Sequence, residues 1–176
     1  MTLLEIAKAL LYLHENGIVH GDLKPENVLV VNQHPSQQDP RGWTTKVSDF
    51  GTSRVLGYRE DQRSPQGTPA YNPPEFMGCL FPRKHADGKL GDVYSFGVTF
   101  WEMVECKKPF GAIRDDITLQ CAVQKSARRP EISAGWPNKF RELLECCWSQ
   151  DPKNRPSLPT IITNLQNTLQ PQALPQ

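Results

Sequence analysis

Long apolar runs and a strong net charge are both missing from this 176-residue sequence. A membrane-spanning helix needs roughly 18 consecutive apolar residues, and Glu5 and Lys8 interrupt the apolar N-terminal stretch. We therefore expect neither a signal peptide nor a membrane span. The net charge is only +1, and the 20 basic residues are scattered along the chain. Such a surface attracts neither nucleic acid nor an acidic membrane, so we expect no nucleic-acid partner.

A disulfide framework is also missing. The five cysteines are an odd number and include no C-x-x-C pair, which argues against both paired disulfides and a structural zinc site. Reduced thiols are typical of the cytosol, so we predict a cytoplasmic protein. The content of 38% hydrophobic and 22% charged residues is that of an ordinary globular domain.

Apolar residues recur at helical spacing in five segments, which predicts helices over residues 2–16, 92–104, 117–125, 139–149 and 158–169. Thr2 followed by Glu5 predicts a capping box at the first helix, and Gly17 predicts its end. Short β-branched runs predict strands at 18–19, 28–31 and 46–48. Residues 32–45 and 51–75 are expected to be loops, the first of them solvent-exposed. The prediction is a mainly α (α+β) domain over residues 1–169, with a disordered tail over 170–176.

Two short motifs carry chemically useful side chains. Residues 20–27 read H-G-D-L-K-P-E-N, and Asp49-Phe50-Gly51 follows 22 positions after Asn27. Phosphoryl transfer requires a carboxylate that orients and deprotonates the attacking hydroxyl, for which Asp22 is suited, and a cation at the phosphate, for which Lys24 is suited. It also requires a few hard oxygen ligands for Mg²⁺, which Asn27 and Asp49 can supply.

These motifs resemble the catalytic and metal-binding loops of the eukaryotic-type protein kinase family. The resemblance extends over nearly the whole chain, because Pro73-Pro74-Glu75, Asp92 and Arg155 stand where that family has further signature residues. It implies ATP and Mg²⁺ as cofactors and a protein as substrate. It also implies that Asp92 starts the central helix and holds the catalytic loop, and that Arg155 pairs with Glu75.

The resemblance assigns roles to three apolar or aromatic positions as well. Leu29 matches the residue that lies under the adenine, and His20 and Phe50 match members of a stacked apolar spine. Residues 24–27 and 67–71 are similar to the serine/threonine type of kinase, in which Thr68 would bridge Asp22 and Lys24. Residues 96–103 and 147–152 look like the tyrosine-kinase-like group of those enzymes.

The sequence departs from the family pattern at several positions. Gly21 replaces the arginine that normally pairs with a phosphate on the activation loop, so any activity is expected not to depend on a phosphate docking there. The alternative is that Gly21 is a turn residue without regulatory meaning. Pro73 replaces an alanine, which is a mild change in an extended segment. Ser64-Pro65 is either a phosphorylation site or an unmodified exposed turn.

The family's Gly-rich loop and strand lysine are not found in these residues, since no G-x-G-x-x-G occurs and Lys8 lies on a helix. We therefore expect a C-terminal lobe only, with the N-lobe absent and an isolated chain that is inactive until an N-lobe or partner protein completes the cleft. The leading hypothesis is a truncated protein serine/threonine kinase. The alternatives are a noncatalytic kinase-like binding or scaffold module, and a small-molecule kinase with the same fold.

Overall fold

The computed structural model describes residues 1–37, 39–56, 67–77 and 87–169. Within these residues the chain forms five α-helices and four short strands. The helices are α1 Thr2–Glu15, α2 Gly88–Glu105, α3 Asp116–Lys125, α4 Asn138–Cys147 and α5 Leu158–Leu169, and the strands are β1 Ile18–Val19, β2 Val28–Asn32, β3 Trp43–Val47 and β4 Arg54–Val55. Single 3-10 turns lie at Pro25–Asn27, Pro69–Tyr71, Pro74–Phe76 and Pro152–Asn154.

The first helix confirms the predicted span but not the predicted cap. Met1 occupies the N-cap position without a side-chain hydrogen bond, so the capping box of Thr2 and Glu5 is wrong. The Glu5 carboxylate instead accepts hydrogen bonds from the backbone and side chain of Thr45 on β3 and from Arg41. Glu5 therefore bonds to residues distant in sequence and does not cap its own helix. Gly17 has a φ of 71°, which fits the predicted end of the helix.

Two antiparallel ribbons form the β structure. Strand β2 pairs with β3 from Val28 opposite Val47 to Asn32 opposite Trp43, and β1 pairs with β4. The expectation of an exposed loop over 32–45 is wrong at its C-terminal end, because residues 43–45 belong to β3 and Thr45 is buried. The long loop predicted over 51–75 contains β4 and two 3-10 turns, while residues 57–66, including Ser64 and Pro65, lie outside the described part.

Helix α2 is the central element, and every residue from Gly91 to Glu102 is buried. It begins four residues before the predicted start, because the Asp87 side chain caps it by accepting a hydrogen bond from the Lys89 amide. Asp92 therefore lies in the second turn and does not start the helix. Gly91 permits a close approach to Phe76, whose ring would lie 2.5 Å from a Cβ at this position.

The other four helices agree with the predicted segments to within two residues at each end. Helix α1 packs against α5, and α2 packs against α4. One apolar cluster connects all five helices and includes Leu10, Phe96, Phe100 and Leu144. No helix in the described part of the chain combines the length and apolarity needed to cross a bilayer. The predicted tail over 170–176 lies outside the described residues.

Candidate active site

Two side chains of the first motif, Asp22 and Lys24, meet Thr68 from a distant segment of the chain. The Lys24 ammonium lies 2.9 Å from the Asp22 carboxylate and donates to the Thr68 hydroxyl at 2.6 Å. The Thr68 amide donates to the other Asp22 oxygen at 2.7 Å. Thr68 thus bridges Asp22 and Lys24 as the sequence resemblance implied, through its backbone on one side and its hydroxyl on the other. This triangle fixes the direction of a carboxylate and a cation side by side.

Asn27 lies on the 3-10 turn directly behind this triangle and is buried. Its amide nitrogen donates to the Asp22 backbone carbonyl at 2.8 Å and approaches the Asp22 carboxylate at 3.5 Å. Because the nitrogen is used in this way, the amide oxygen is the atom of Asn27 that is directed away from Asp22. The Asn27 side chain therefore presents an oxygen ligand suited to a hard cation in a fixed position.

Asp49 follows β3 and is positioned by the residue before it. The Ser48 amide and hydroxyl both donate to the Asn27 carbonyl, at 2.9 and 3.0 Å, which fixes the start of the second motif against the first. Asp49 itself is exposed and has a φ of 62°. Its carboxylate accepts from the Gly51 amide at 3.2 Å. The structure thus brings the segments of Asn27 and Asp49 together.

Oxygen donors in this region suit Mg²⁺ better than a softer metal ion. Among the described residues, no group of three or more His, Cys, Asp or Glu side chains could hold a metal ion. Mg²⁺ needs no such group, since it is commonly bound by one or two protein oxygen ligands together with substrate phosphates and water. The amide oxygen of Asn27 and the carboxylate of Asp49 fit that requirement.

Asp92 on α2 holds the backbone of the first motif. Its carboxylate accepts from the amides of His20 and Gly21, each at 2.9 Å, as the resemblance implied. It also contacts the His14 ring nitrogen at 2.8 Å, a partner on α1 that the sequence reasoning missed. Asp92 is 1% exposed, so these contacts are shielded from water and anchor the loop firmly to the helical core.

Gly21 has a structural reason to be glycine. Its φ is 81°, and a Cβ at this position would lie 3.1 Å from the Thr52 carbonyl oxygen. The hydroxyls of Thr52 and Ser53 both donate to the His20 carbonyl, at 3.2 Å each. The segment after Gly51 is therefore held directly against the first motif.

Two apolar positions that the resemblance singled out, Leu29 and Phe50, are partly exposed to solvent. Leu29 on β2 and Phe50 are each about half exposed. The Phe50 ring packs edge-on against the buried His20 ring, with 5.5 Å between centroids. The contact between His20 and Phe50 is thus formed, while the face that includes Leu29 remains open to solvent.

The predicted pair of Glu75 and Arg155 is present. The Arg155 guanidinium makes two bonds to the Glu75 carboxylate, at 2.6 and 2.8 Å, and also donates to the carbonyls of Leu90 and Ser149. It lies over the Tyr94 ring at 5.1 Å. This pair fastens the segment that follows Thr68 to the C-terminal helices.

A cleft of about 490 Å³ opens beside Lys24 and Thr68, and its wall includes Glu26, Tyr71 and Lys108. Sequence reasoning missed Tyr71 and Lys108. Lys108 pairs with Glu26 across 82 positions of sequence, and the Tyr71 hydroxyl donates to Glu102 across 31. No local pattern connects residues so far apart, so only the folded chain could reveal them.

Residues 1–166 match the protein kinase domain family, and the chain therefore belongs to the protein kinase family. Among its relatives are two proteins of Dictyostelium discoideum. A probable serine/threonine-protein kinase is 35% identical over 93% of this chain and 11% of its own length. A probable LIM domain-containing serine/threonine-protein kinase is 35% identical over 92% and 22%.

A third relative from the same organism, a dual specificity protein kinase, is 30% identical over 90% of this chain and 21% of its own length. The chain thus spans between about a tenth and a fifth of the length of these curated relatives.

Proposed function

We propose that this chain carries the catalytic loop of a protein serine/threonine kinase, which transfers the γ-phosphate of ATP to a hydroxyl of a protein substrate. The triangle of Asp22, Lys24 and Thr68 is the observation that supports this most strongly. It places a carboxylate that can take the acceptor's proton 2.9 Å from an ammonium that can stabilise the transferred phosphate. The names of the relatives support the same chemistry.

ATP and Mg²⁺ are the cofactors in this proposal. Asn27 and Asp49 would hold the metal ion, which would neutralise charge on the phosphates when bound. Leu29 would contact the adenine through its half-exposed side chain. Asp22 would orient the acceptor hydroxyl, and Thr68 would hold the side chains of Asp22 and Lys24 next to each other.

We further propose that residues 1–169 form the C-terminal lobe of the kinase domain, of the tyrosine-kinase-like group. The half-exposed side chains of Leu29 and Phe50 support a face that another lobe or a partner protein covers. ATP would lack its phosphate lid on the isolated chain. Since charge-assisted hydrogen bonds contribute about 1.5–3 kcal/mol each, losing several lowers affinity by orders of magnitude.

The test measures transfer of label from γ-labelled Mg-ATP to serine, threonine and tyrosine peptides. It compares the 176-residue chain with the longest natural protein that contains it. We expect very weak transfer by the short chain, and transfer to serine and threonine by the longer protein that phosphatase treatment does not abolish. Asp22→Asn keeps the shape of the side chain and removes the base, so it should lower the rate by about 100-fold or more.

Asp116→Asn is the matched control, because Asp116 is exposed at the start of α3 and lies outside the cleft. Its transfer rate should equal that of the unmodified protein. Equal rates for Asp22→Asn and the unmodified protein would contradict the assignment of Asp22. Absence of transfer by the longer protein would contradict the kinase proposal itself.

A noncatalytic binding module is the second candidate. The half-exposed apolar side chains of Leu29 and Phe50 favour it, because exposed apolar surface is typical of a protein-binding face. Two results together would support this candidate over the first. The protein would transfer no phosphate, and a partner would bind equally to the unmodified protein and to Asp22→Asn.

A further inference from the structure

The cleft beside Lys24 is also lined by Lys108, a cation that the catalytic chemistry does not use. The Lys108 ammonium bonds to the Glu26 carboxylate and lies 2.8 Å from the Glu102 carboxylate. The other Glu102 oxygen accepts the bond from the Tyr71 hydroxyl. One lysine therefore engages both Glu26, which lines the cleft, and Glu102.

The two carboxylates differ in burial. The Glu26 side chain is about half exposed, whereas that of Glu102 is 10% exposed. Without Lys108, the Tyr71 hydroxyl would be the remaining side-chain partner of Glu102 among the described residues. A carboxylate removed from water in this way strongly favours a cation nearby. The hydrogen bond from Lys108 also lowers the pKa of Glu26.

We propose that Lys108 determines substrate specificity by occupying the position where a basic residue of a substrate would otherwise pair with Glu26 and Glu102. The inference rests on the proposed kinase function. It assigns to this chain substrates in which the residues flanking the acceptor hydroxyl are uncharged or acidic. An arginine there would have to displace Lys108 and would gain little, because one ion pair is exchanged for another.

The geometry of the cleft supports this specificity. Glu26 and Lys108 line the same cleft as Lys24 and Thr68, so a peptide that enters this cleft would lie close to the lysine. Lys108 is 62% exposed in its side chain, which leaves it accessible to a peptide. Its neighbour Lys107 is 68% exposed and pairs with Glu105 instead, at 3.3 Å.

The experiment measures binding of fluorescent peptides by anisotropy. Each peptide has a central serine in a neutral background, with one arginine or one aspartate placed at each of the three positions on either side. The longest natural protein containing this chain is compared in four forms: unmodified, Lys108→Met, Lys107→Met, and Lys108→Met combined with Glu26→Gln. Circular dichroism checks that each form is folded.

For the unmodified protein we expect arginine and aspartate peptides to bind within about twofold of each other. Lys108→Met should bind an arginine peptide roughly five- to tenfold more tightly than its aspartate counterpart at one position, the size expected when one cation meets the half-exposed Glu26 and the mostly buried Glu102. Lys107→Met should behave as the unmodified protein, and Glu26→Gln should remove much of the gain.

Two results would overturn the inference while leaving the kinase proposal intact. One is an affinity ratio of arginine to aspartate peptides that is the same in Lys108→Met and in the unmodified protein. The other is a strong preference for arginine peptides in the unmodified protein. If no serine peptide binds to any form, the inference fails. Phosphate transfer, measured separately with Asp22→Asn, distinguishes failure of the kinase proposal from failure of this one.

Discussion

Arg155→Ala should destabilise the domain strongly, because it removes one partner of a buried ion pair. The arginine is 5% exposed, makes two bonds to Glu75 and donates to the carbonyls of Leu90 and Ser149. Breaking a buried ion pair by removing one partner costs about 3–5 kcal/mol. The Glu75 side chain is 19% exposed, so water can partly solvate the carboxylate that is left behind, which favours the lower end of that range.

A loss of about 3 kcal/mol corresponds to a fall in the melting temperature of roughly 6–12 °C for a domain of this size. The free energy of unfolding is measured by urea denaturation followed by circular dichroism. Lys153→Ala is the control, because Lys153 is exposed on the neighbouring 3-10 turn. A loss below about 1 kcal/mol for Arg155→Ala would show that the pair is no stronger than a surface ion pair and would refute the reasoning.

Two further predictions concern the backbone and the response to pH. Gly21→Ala should cost about 1–2 kcal/mol because of its φ of 81° and the nearby Thr52 carbonyl, whereas Gly135→Ala, with open space around it, should cost little; equal melting temperatures would contradict this. Hydrogen bonds from Ser133, and then from Trp136, lower the pKa of Glu105 to about 2. Its stabilising contribution is therefore present above the unfolded-state pKa of about 4.3 and is lost as the pH falls through about 2. The difference in unfolding free energy between the unmodified protein and Glu105→Gln should shrink over that window, and a constant difference would contradict the assignment.

The sequence predicted the helices well, because each buries one stripe or all of its surface and the spacing of its apolar residues records that. It also predicted which segments carry the motifs and that Thr68, Glu75, Asp92 and Arg155 would have long-range partners. Those partners followed from a resemblance to a family, and the structure shows the contacts themselves.

Predictions based on neighbours along the chain failed where a distant group competed for the same atoms. Glu5 is suitably placed to cap α1, yet its carboxylate bonds to Arg41 and Thr45, some 36 and 40 positions away. Although burial alone would raise the pKa of Glu5, the bonds from Arg41 and Thr45 lower it. The predicted start of α2 was wrong for a local reason, because the helix cap provided by Asp87 was overlooked.

The sequence by itself determined the helical class of the domain, the order of its motifs and the chemical types of the side chains that they carry, since these depend on residue identity and on spacing along the chain. Only the tertiary structure decided how the side chains are paired. The triangle of Asp22, Lys24 and Thr68 joins positions 46 apart, and Lys108 reaches Glu26 over 82. Such contacts depend on how helices and turns pack in three dimensions, and local periodicity carries no information about that packing.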